Sequence, residues 1–281
     1  MTDLKKITEG SEGIEMKYPE DFINQIITGD CLEVMKDIPD NSIDLVITSP
    51  PYDNLRDYKG YSFDFEGIAK ELFRVIKKGG VVVWVVGDSV IDGSESLTSF
   101  TQAIYFKLIG FNIHDTMIYE KNCCPFPDST RYYQVAEYMF ILSKGKPKTF
   151  NPIMQKNTYI SENHQCTSRD KNGELQKRVI NHGQQSPLKN VWKLEVGYMK
   201  TTKDDYAYKH PAMFPEKLAE DHILSWSNTG DIVMDIFSGS GTTCKMARKN
   251  DRRYIGIDLS EEYNQIAKER LRILDMQPKL F

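Results

Sequence analysis

Apolar and polar positions alternate along the first half of the chain with two different periods. INQIITGD (23–30) and IDLVITS (43–49) are short β-rich runs, and between them CLEVMKDIPDN places apolar residues at helical spacing before a Pro-Asp-Asn turn. Ile68, Leu72, Phe73 and Ile76 mark one face of a helix over 67–77, and KKGG predicts its basic, glycine-terminated end. VVVWVVGD has no polar face, so it predicts a buried central strand. LTSFTQAIYFKLIG predicts a second amphipathic helix, and HDTMIYEK and VAEYMFILSK predict two further strands. Strand and helix thus alternate as in an α/β fold built from βαβ units.

From about residue 145 to 209 this periodicity fades into polar sequence, which marks either a disordered stretch or a functional insert. Regular patterning returns with HPAMFPEKLAEDHILSWS, a helix opened by prolines. It continues through DIVMDIF (strand), SGSGTTCKMARKN (loop, then helix), RRYIGIDLS (strand) and EEYNQIAKERLRIL (helix). No internal repeat is visible.

With 281 residues, 40% of them hydrophobic, the chain can bury one sizeable core. Residues 1–22 lack the apolar core of a secretory signal, and the longest purely apolar run, Val81–Val86, is too short to span a bilayer. A soluble, cytoplasmic protein is expected. The five cysteines form no CxxC pair, so reduced thiols and no metal site are expected. The net charge of −4 hides an uneven distribution. Residues 121–210 carry 15 Lys and Arg against 8 Asp and Glu, while the rest carries 21 against 32. A basic middle rich in Tyr, Asn, Gln, Ser and Thr suits nucleic-acid contact, and a solvated charged surface would look the same.

Two stretches carry candidate chemistry. TSPPYDN closes the IDLVIT run, and its prolines make Ser49, Pro50 and Pro51 a stiff, extended segment. Because a proline has no N–H, the main chain there presents mostly carbonyl acceptors, with the Ser49 hydroxyl and the Tyr52 ring alongside. An ordinary turn after a strand would also use these residue types. In DIVMDIFSGSGTT a strand runs straight into a glycine-rich loop at a helix N-terminus, where Gly239 and Gly241 permit a sharp turn and close approach to a ligand. The loop is not a P-loop, and Cys244 stands where a dinucleotide fingerprint has its third glycine. Seventeen residues after Gly241, Asp258 ends the strand in YIGID, where a carboxylate can accept hydrogen bonds from both ribose hydroxyls. An adenosine-containing cofactor is therefore expected. Asp258 could instead cap the following helix, although Ser260 is the better placed cap. His210, Pro211 and Pro215, leading into an amphipathic helix, look like a shaped lid beside that cofactor.

SPPY (49–52), DIFSGSGTT (235–243), HPAMFPEKL (210–218) and Gly29-Asp30 together resemble the amino-group DNA methyltransferases that depend on S-adenosylmethionine, in their beta arrangement. The resemblance covers nearly the whole chain apart from its first twenty or so residues and the polar middle. It implies a class I methyltransferase fold, a Rossmann-like doubly wound sheet with one reversed strand, circularly permuted so that DIVMDIF is its usual first strand. The implied division is an N-terminal extension (1–22), a catalytic half (23–144), a target-recognition insert (145–209) and a cofactor-binding half (210–281). The implied catalytic residues are Ser49, Pro50, Pro51 and Tyr52. The cofactor would be held by Asp235 and the loop Phe237, Gly239, Ser240, Gly241 and Thr242, with His210 and Pro211. Asp258 would take the ribose, and Asp30 with Cys31 the adenine ring.

That resemblance gives SPPY a purpose. An exocyclic amine is a poor nucleophile because its lone pair is delocalised into the ring, and acceptors aimed at its N–H groups favour the pyramidal form that attacks a sulfonium methyl. Ser49 and the Pro50 carbonyl would be those acceptors, with Tyr52 stacked on a base rotated out of the duplex. In the resembling family SPPY is more typical of cytosine N4 enzymes and DPPY of adenine N6 enzymes, so Ser49 favours cytosine N4, with adenine N6 the alternative. No cysteine follows a proline, which argues against carbon-5 chemistry. Double-stranded DNA is the expected partner of a monomer or homodimer, and a cognate restriction endonuclease is a further partner the resemblance allows. A cofactor-binding protein without catalysis and a nicotinamide-dependent oxidoreductase are the rival readings, and the second leaves SPPY unexplained.

Overall fold

The computed structural model describes residues 16–51, 63–123, 129–210 and 212–277. Eight strands form one sheet: β1 (Gln25–Thr28), β2 (Ile43–Thr48), β3 (Ile76–Val86), β6 (Asn112–Lys121), β7 (Ala136–Ser143), β12 (Val191–Leu194), β13 (Ile232–Asp235) and β14 (Arg253–Asp258). The remaining strands pair in twos: β4 (Val90–Ile91) with β5 (Ser94–Glu95), β8 (Met154–Lys156) with β11 (Gln185–Pro187), and β9 (Ser161–Arg169) with β10 (Leu175–His182).

The sheet order is β1-β14-β13-β2-β3-β7-β6-β12. Every pairing is parallel except those of β7 with β3 and β6, so β7 is the single reversed strand. The two strands nearest the C-terminus lie between β1 and β2, which is the permuted, doubly wound order expected. Helices α1 (Cys31–Lys36), α2 (Phe65–Val75) and α3 (Thr98–Leu108) cover one face. Helices α4 (Glu216–Trp226), α5 (Thr242–Lys249) and α6 (Glu261–Met276) cover the other. With helices on both sides, β3 has no solvent face, and its residues Val81–Val86 are at most 1% exposed. Burying each such side chain contributes about 1.5–3 kcal/mol.

Two expectations change. KKGG does not end a helix: α2 stops at Val75, and Lys77–Gly80 form a bulge at the start of β3, where the register jumps from Ile43↔Ile76 to Leu45↔Val81. Gly79, at φ +84°, turns the chain there and exchanges backbone bonds with Lys144 and Lys148. Helix α3 buries Ser99 and Gln102 while Phe100, Ile104 and Leu108 are exposed, because Trp84 of β3 donates its indole N–H to Gln102 Oε1 (2.8 Å) and Asp88 takes Ser99. The stretch 145–209 is ordered and β-rich: β12 extends the main sheet beside β6 and buries Trp192 and Leu194. At the other end, Phe22, within the expected N-terminal extension, is fully buried in the core.

Candidate active site

Parallel strands end together, so the sheet gathers the loops after β1, β14, β13 and β2 along one edge. After β13 the chain crosses by α5 to β14 on one side, and after β2 it crosses by α2 to β3 on the other. The gap between the ends of β13 and β2 is therefore the switch point, where doubly wound sheets hold their ligands. It lies between the glycine-rich loop and the Ser49-Pro50-Pro51 segment.

A buried carboxylate joins the two sides. Asp235 Oδ1 accepts from Thr48 Oγ1 (2.7 Å) and the Phe237 N–H (3.1 Å), and Oδ2 accepts from Thr243 Oγ1 (2.7 Å). Thr48 directly precedes Ser49, so one side chain fixes both the end of β2 and the start of the glycine loop. Asp235 is 1% exposed, and burial pushes its carboxyl from the usual 3.8 up to about 6, against the pull of the three donors. Its oxygens thus face the protein. Ser49 and Pro51 are half-buried and Pro50 is buried. Tyr52 lies outside the described residues.

The glycine loop is pinned at each turn. Ser238 N–H donates to the Ile257 carbonyl (2.9 Å), Gly239 N–H to Asp258 Oδ2 (2.8 Å) and Gly241 N–H to the Ser238 carbonyl (2.7 Å). Gly239 (φ +48°) and Gly241 (φ +76°) both have left-handed backbone. A β-carbon on Gly239 would stand 2.7 Å from His210 Nε2, and one on Gly241 2.6 Å from Ala267 Cβ. The absent side chains thus admit His210 and α6 to the loop, a packing role beside the conformational one. His210 also packs edge-on against Tyr263 at 4.3 Å between ring centres. Pro211 lies outside the described residues.

Asp258 links the loop to the next turn through Gly239 and the Ser260 N–H (2.9 Å), while Ser260 caps α6 by accepting from Tyr263. Burial raises the Asp258 carboxyl above its ordinary range. Asp30 caps α1, accepting from the Leu32 N–H (2.8 Å) and Glu33 N–H (3.4 Å), and Cys31 is 3% exposed within the core. Phe237 packs edge-on to Phe63 at 5.8 Å.

Sequence reasoning missed the residues behind the loop. Arg270 of α6, with a fully buried side chain, donates to the Ser240 carbonyl (2.9 Å), Thr242 Oγ1 (3.1 Å), Asp204 (2.7 Å) and Glu216 (2.6 Å). Lys245 bridges the same two carboxylates at 2.7 and 2.8 Å. Burial drives the Asp204 and Glu216 carboxyls up, but these cations hold them below their ordinary values. The signal was present in α6, where Arg270 falls in line with Ala267 and Leu271 on the buried face.

The residues present suit an adenosyl cofactor. Asp258 offers a half-buried carboxylate at the strand end, and Ser238 Oγ in the glycine loop is a buried hydroxyl without a hydrogen-bond partner among the described residues. No group of three or more His, Cys, Asp or Glu among those residues could hold a metal, and no helix among them is long and apolar enough to cross a membrane.

A permuted, doubly wound sheet with one reversed strand and a glycine loop at its switch point is the class I methyltransferase fold. The family model for N6/N4 DNA methylases matches residues 43–269, and the chain belongs to that family. It is 56% identical to the orphan methyltransferase M.BamHII of Bacillus amyloliquefaciens over 244 residues, which cover 84% of this chain and 91% of that one. Among solved structures, the cytosine-N4-specific PvuII DNA methyltransferase matches with a TM-score of 0.65 at 22% identity, covering 91% of this chain and 87% of the other. At that identity the match speaks for the fold alone. The M1.HpyAVI–SAM complex matches with a TM-score of 0.58 at 26% identity, covering 88% and 98%.

Proposed function

We propose that the chain transfers the methyl group of S-adenosylmethionine to the exocyclic amine of a base rotated out of duplex DNA, and that the base is cytosine, modified at N4. The observation that carries this reading is the Thr48–Asp235–Thr243 junction, which sets the SPP segment beside the glycine loop at the switch point. Ser49 Oγ and the Pro50 carbonyl accept the two amine hydrogens and stabilise the positive charge that develops at nitrogen, and Tyr52 stacks on the base. Asp258 holds the ribose hydroxyls. The loop from Phe237 to Thr242, with His210 and Pro211, surrounds the methionine part, and Asp30 with Cys31 borders the adenine. Asp235 acts by positioning both loops rather than by touching either reactant. The bound cofactor supplies an electrophilic methyl. Holding the amine in line with it is worth an effective molarity on the order of 10⁵ M or more.

Cytosine is favoured over adenine by Ser49, since a neutral hydroxyl stands where the adenine enzymes of the resembling family more often have a carboxylate. The test incubates the purified protein with unmethylated duplex DNA and S-adenosylmethionine and identifies modified nucleosides by mass spectrometry. N4-methylcytosine is the expected product. N6-methyladenine would overturn Ser49 as the selector while keeping the reaction, and absence of both would overturn the reaction.

A further inference from the structure

The stretch that leads into β7 carries two adjacent tyrosines, Tyr132 at 100% exposure and Tyr133 at 64%. Among the described residues neither has a hydrogen-bond or ring partner. The residues on either side of the pair are tied down. Arg131 donates to the Gly93 carbonyl at the tip of the β4–β5 hairpin and lies 3.9 Å from Glu95, while Gln134 Nε2 donates to Glu95 Oε1 (2.9 Å). That hairpin is itself stiff. Asp92 (φ +50°) and Gly93 (φ +79°) make a two-residue turn whose twist matches the strands, and the Ser96 N–H donates to the Ser89 carbonyl (2.9 Å). On the other side, the Val135 carbonyl accepts from the Lys121 N–H (2.7 Å) where the β6–β7 ladder begins. The backbone is thus fixed at both ends of the pair, and the Tyr132 ring is given wholly to solvent. A large, amphipathic ring held out in this way offers a flat face to an outside partner.

The ladder gives its position. β7 runs against β3, so its first residues stand at the same edge as the last residues of β2 and β3. Thr48 pairs with Trp84 and Trp84 with Phe140, which sets β7 two strands, about 10 Å, from the strand that ends in Ser49-Pro50-Pro51. Val86, the last residue of β3, pairs with Tyr138, so the residues before Ala136 lie beyond the sheet. The tyrosines therefore project beside the place where the rotated base would sit, and outside it. Rotating a base out of the duplex sacrifices its stacking and leaves a gap. A side chain that wedges between base steps fills such a gap, and an aromatic ring also restores stacking, whatever the neighbouring bases are. Tyr52 is assigned to the displaced base, and Tyr132 is the exposed ring placed to meet the space it leaves.

We propose that Tyr132 enters the duplex at the step the rotated base vacates and stacks there, as a positioning residue for methyl transfer. The inference rests on the proposed methylation of a base rotated out of DNA. Full-length wild type, Tyr132→Ala and Tyr132→Phe would be compared for cofactor affinity, and for binding and methyl transfer on a duplex carrying the site mapped by sequencing methylated DNA. The same measurements would be made with a pyrene nucleotide opposite the target base, where the pyrene fills the gap itself. Tyr132→Ala is expected to lose about 10- to 100-fold in binding to the ordinary duplex, and Tyr132→Phe less than about threefold. On the pyrene duplex Tyr132→Ala should return to within about threefold of wild type, because the stacking it lacks is supplied by the DNA. Cofactor affinity should be the same in all three proteins. Unchanged binding and transfer in Tyr132→Ala overturns the proposal. So does a loss that pyrene does not recover, which would place the ring against the outside of the duplex or in the fold, and so does a change of oligomeric state in the variant. A wild-type protein that modifies no DNA overturns the underlying function instead, whatever Tyr132→Ala does.

Discussion

β3 and the β9–β10 ribbon have the same backbone conformation and opposite fates. Val81–Val86 of β3 are sealed between two helical layers, whereas not one residue of the ribbon is buried. In β3 the side chains hold the strand in place. In the ribbon the backbone ladder, a tip closed by Asp170 and a base clamped by Asn157 hold the side chains out. The edge that carries the candidate site depends on the first kind of order, and the ribbon shows the second. Changes in the body should therefore cost stability, and changes in the ribbon should not.

The largest expected effect follows from Arg270→Met, which removes the cation from a buried cluster and keeps most of its volume. Asp204 and Glu216, 17% and 22% exposed, would keep Lys245 as their one cation in the cluster, with Thr202 Oγ1 still donating to Glu216 (2.7 Å), and the Ser240 carbonyl would lose its Arg270 donor. Breaking such a cluster costs about 3–5 kcal/mol. Urea unfolding should show that loss together with weaker cofactor binding. A loss below about 1 kcal/mol would mean that water replaces the guanidinium and that the loop does not depend on α6.

Arg270 also marks the limit of what the sequence discloses. The strand–helix alternation and both motifs were legible because apolar periodicity encodes burial and because SPPY and FSGSGTT sit at strand ends. KKGG misled, since lysine followed by two glycines suits a bulge between strands as well as a helix end. The ionic cluster joins residues 204, 216, 245 and 270, whose proximity only the fold creates. The ribbon was invisible for another reason: SENHQCTSR has no apolar alternation, because neither of its faces meets the core.

A smaller effect should appear in the pH dependence of the junction. With its carboxyl raised to about 6, Asp235 keeps a proton in the folded state between about pH 4 and 6 that the unfolded chain has released. Its contribution to stability is therefore full at low pH and falls as pH rises through that window, by up to about 3 kcal/mol. His222, fully buried and lowered to about 3, works in the opposite sense. The unfolded chain takes up the imidazole proton below about 6.5, so stability falls as pH drops from there. Asp235→Asn removes only the carboxyl's contribution, and its stability should decline more steeply between pH 6 and 4 than that of the wild type. If the ionised carboxylate orders Thr48 and Thr243, wild-type methyl transfer also rises across pH 6, and the Asn variant lacks that limb. Parallel stability curves would show that the carboxyl titrates alike in both states, and an unmoved limb would assign it to another group.

The finest discrimination comes from one substitution made in both strands. Val83→Thr places a hydroxyl in β3 where the side chain is fully buried and both sheet faces are covered. Without a partner the hydroxyl costs about 1–3 kcal/mol. Val179→Thr, at a site 62% exposed, should change stability by no more than about 0.5 kcal/mol. Threonine suits a strand as well as valine does, so β-propensity cancels between the two sites and only burial differs. Urea midpoints measured on the two variants give the contrast directly. Equal losses would mean that the ribbon lies against the body in solution, which would dissolve the distinction between the strand that holds and the strand that is held.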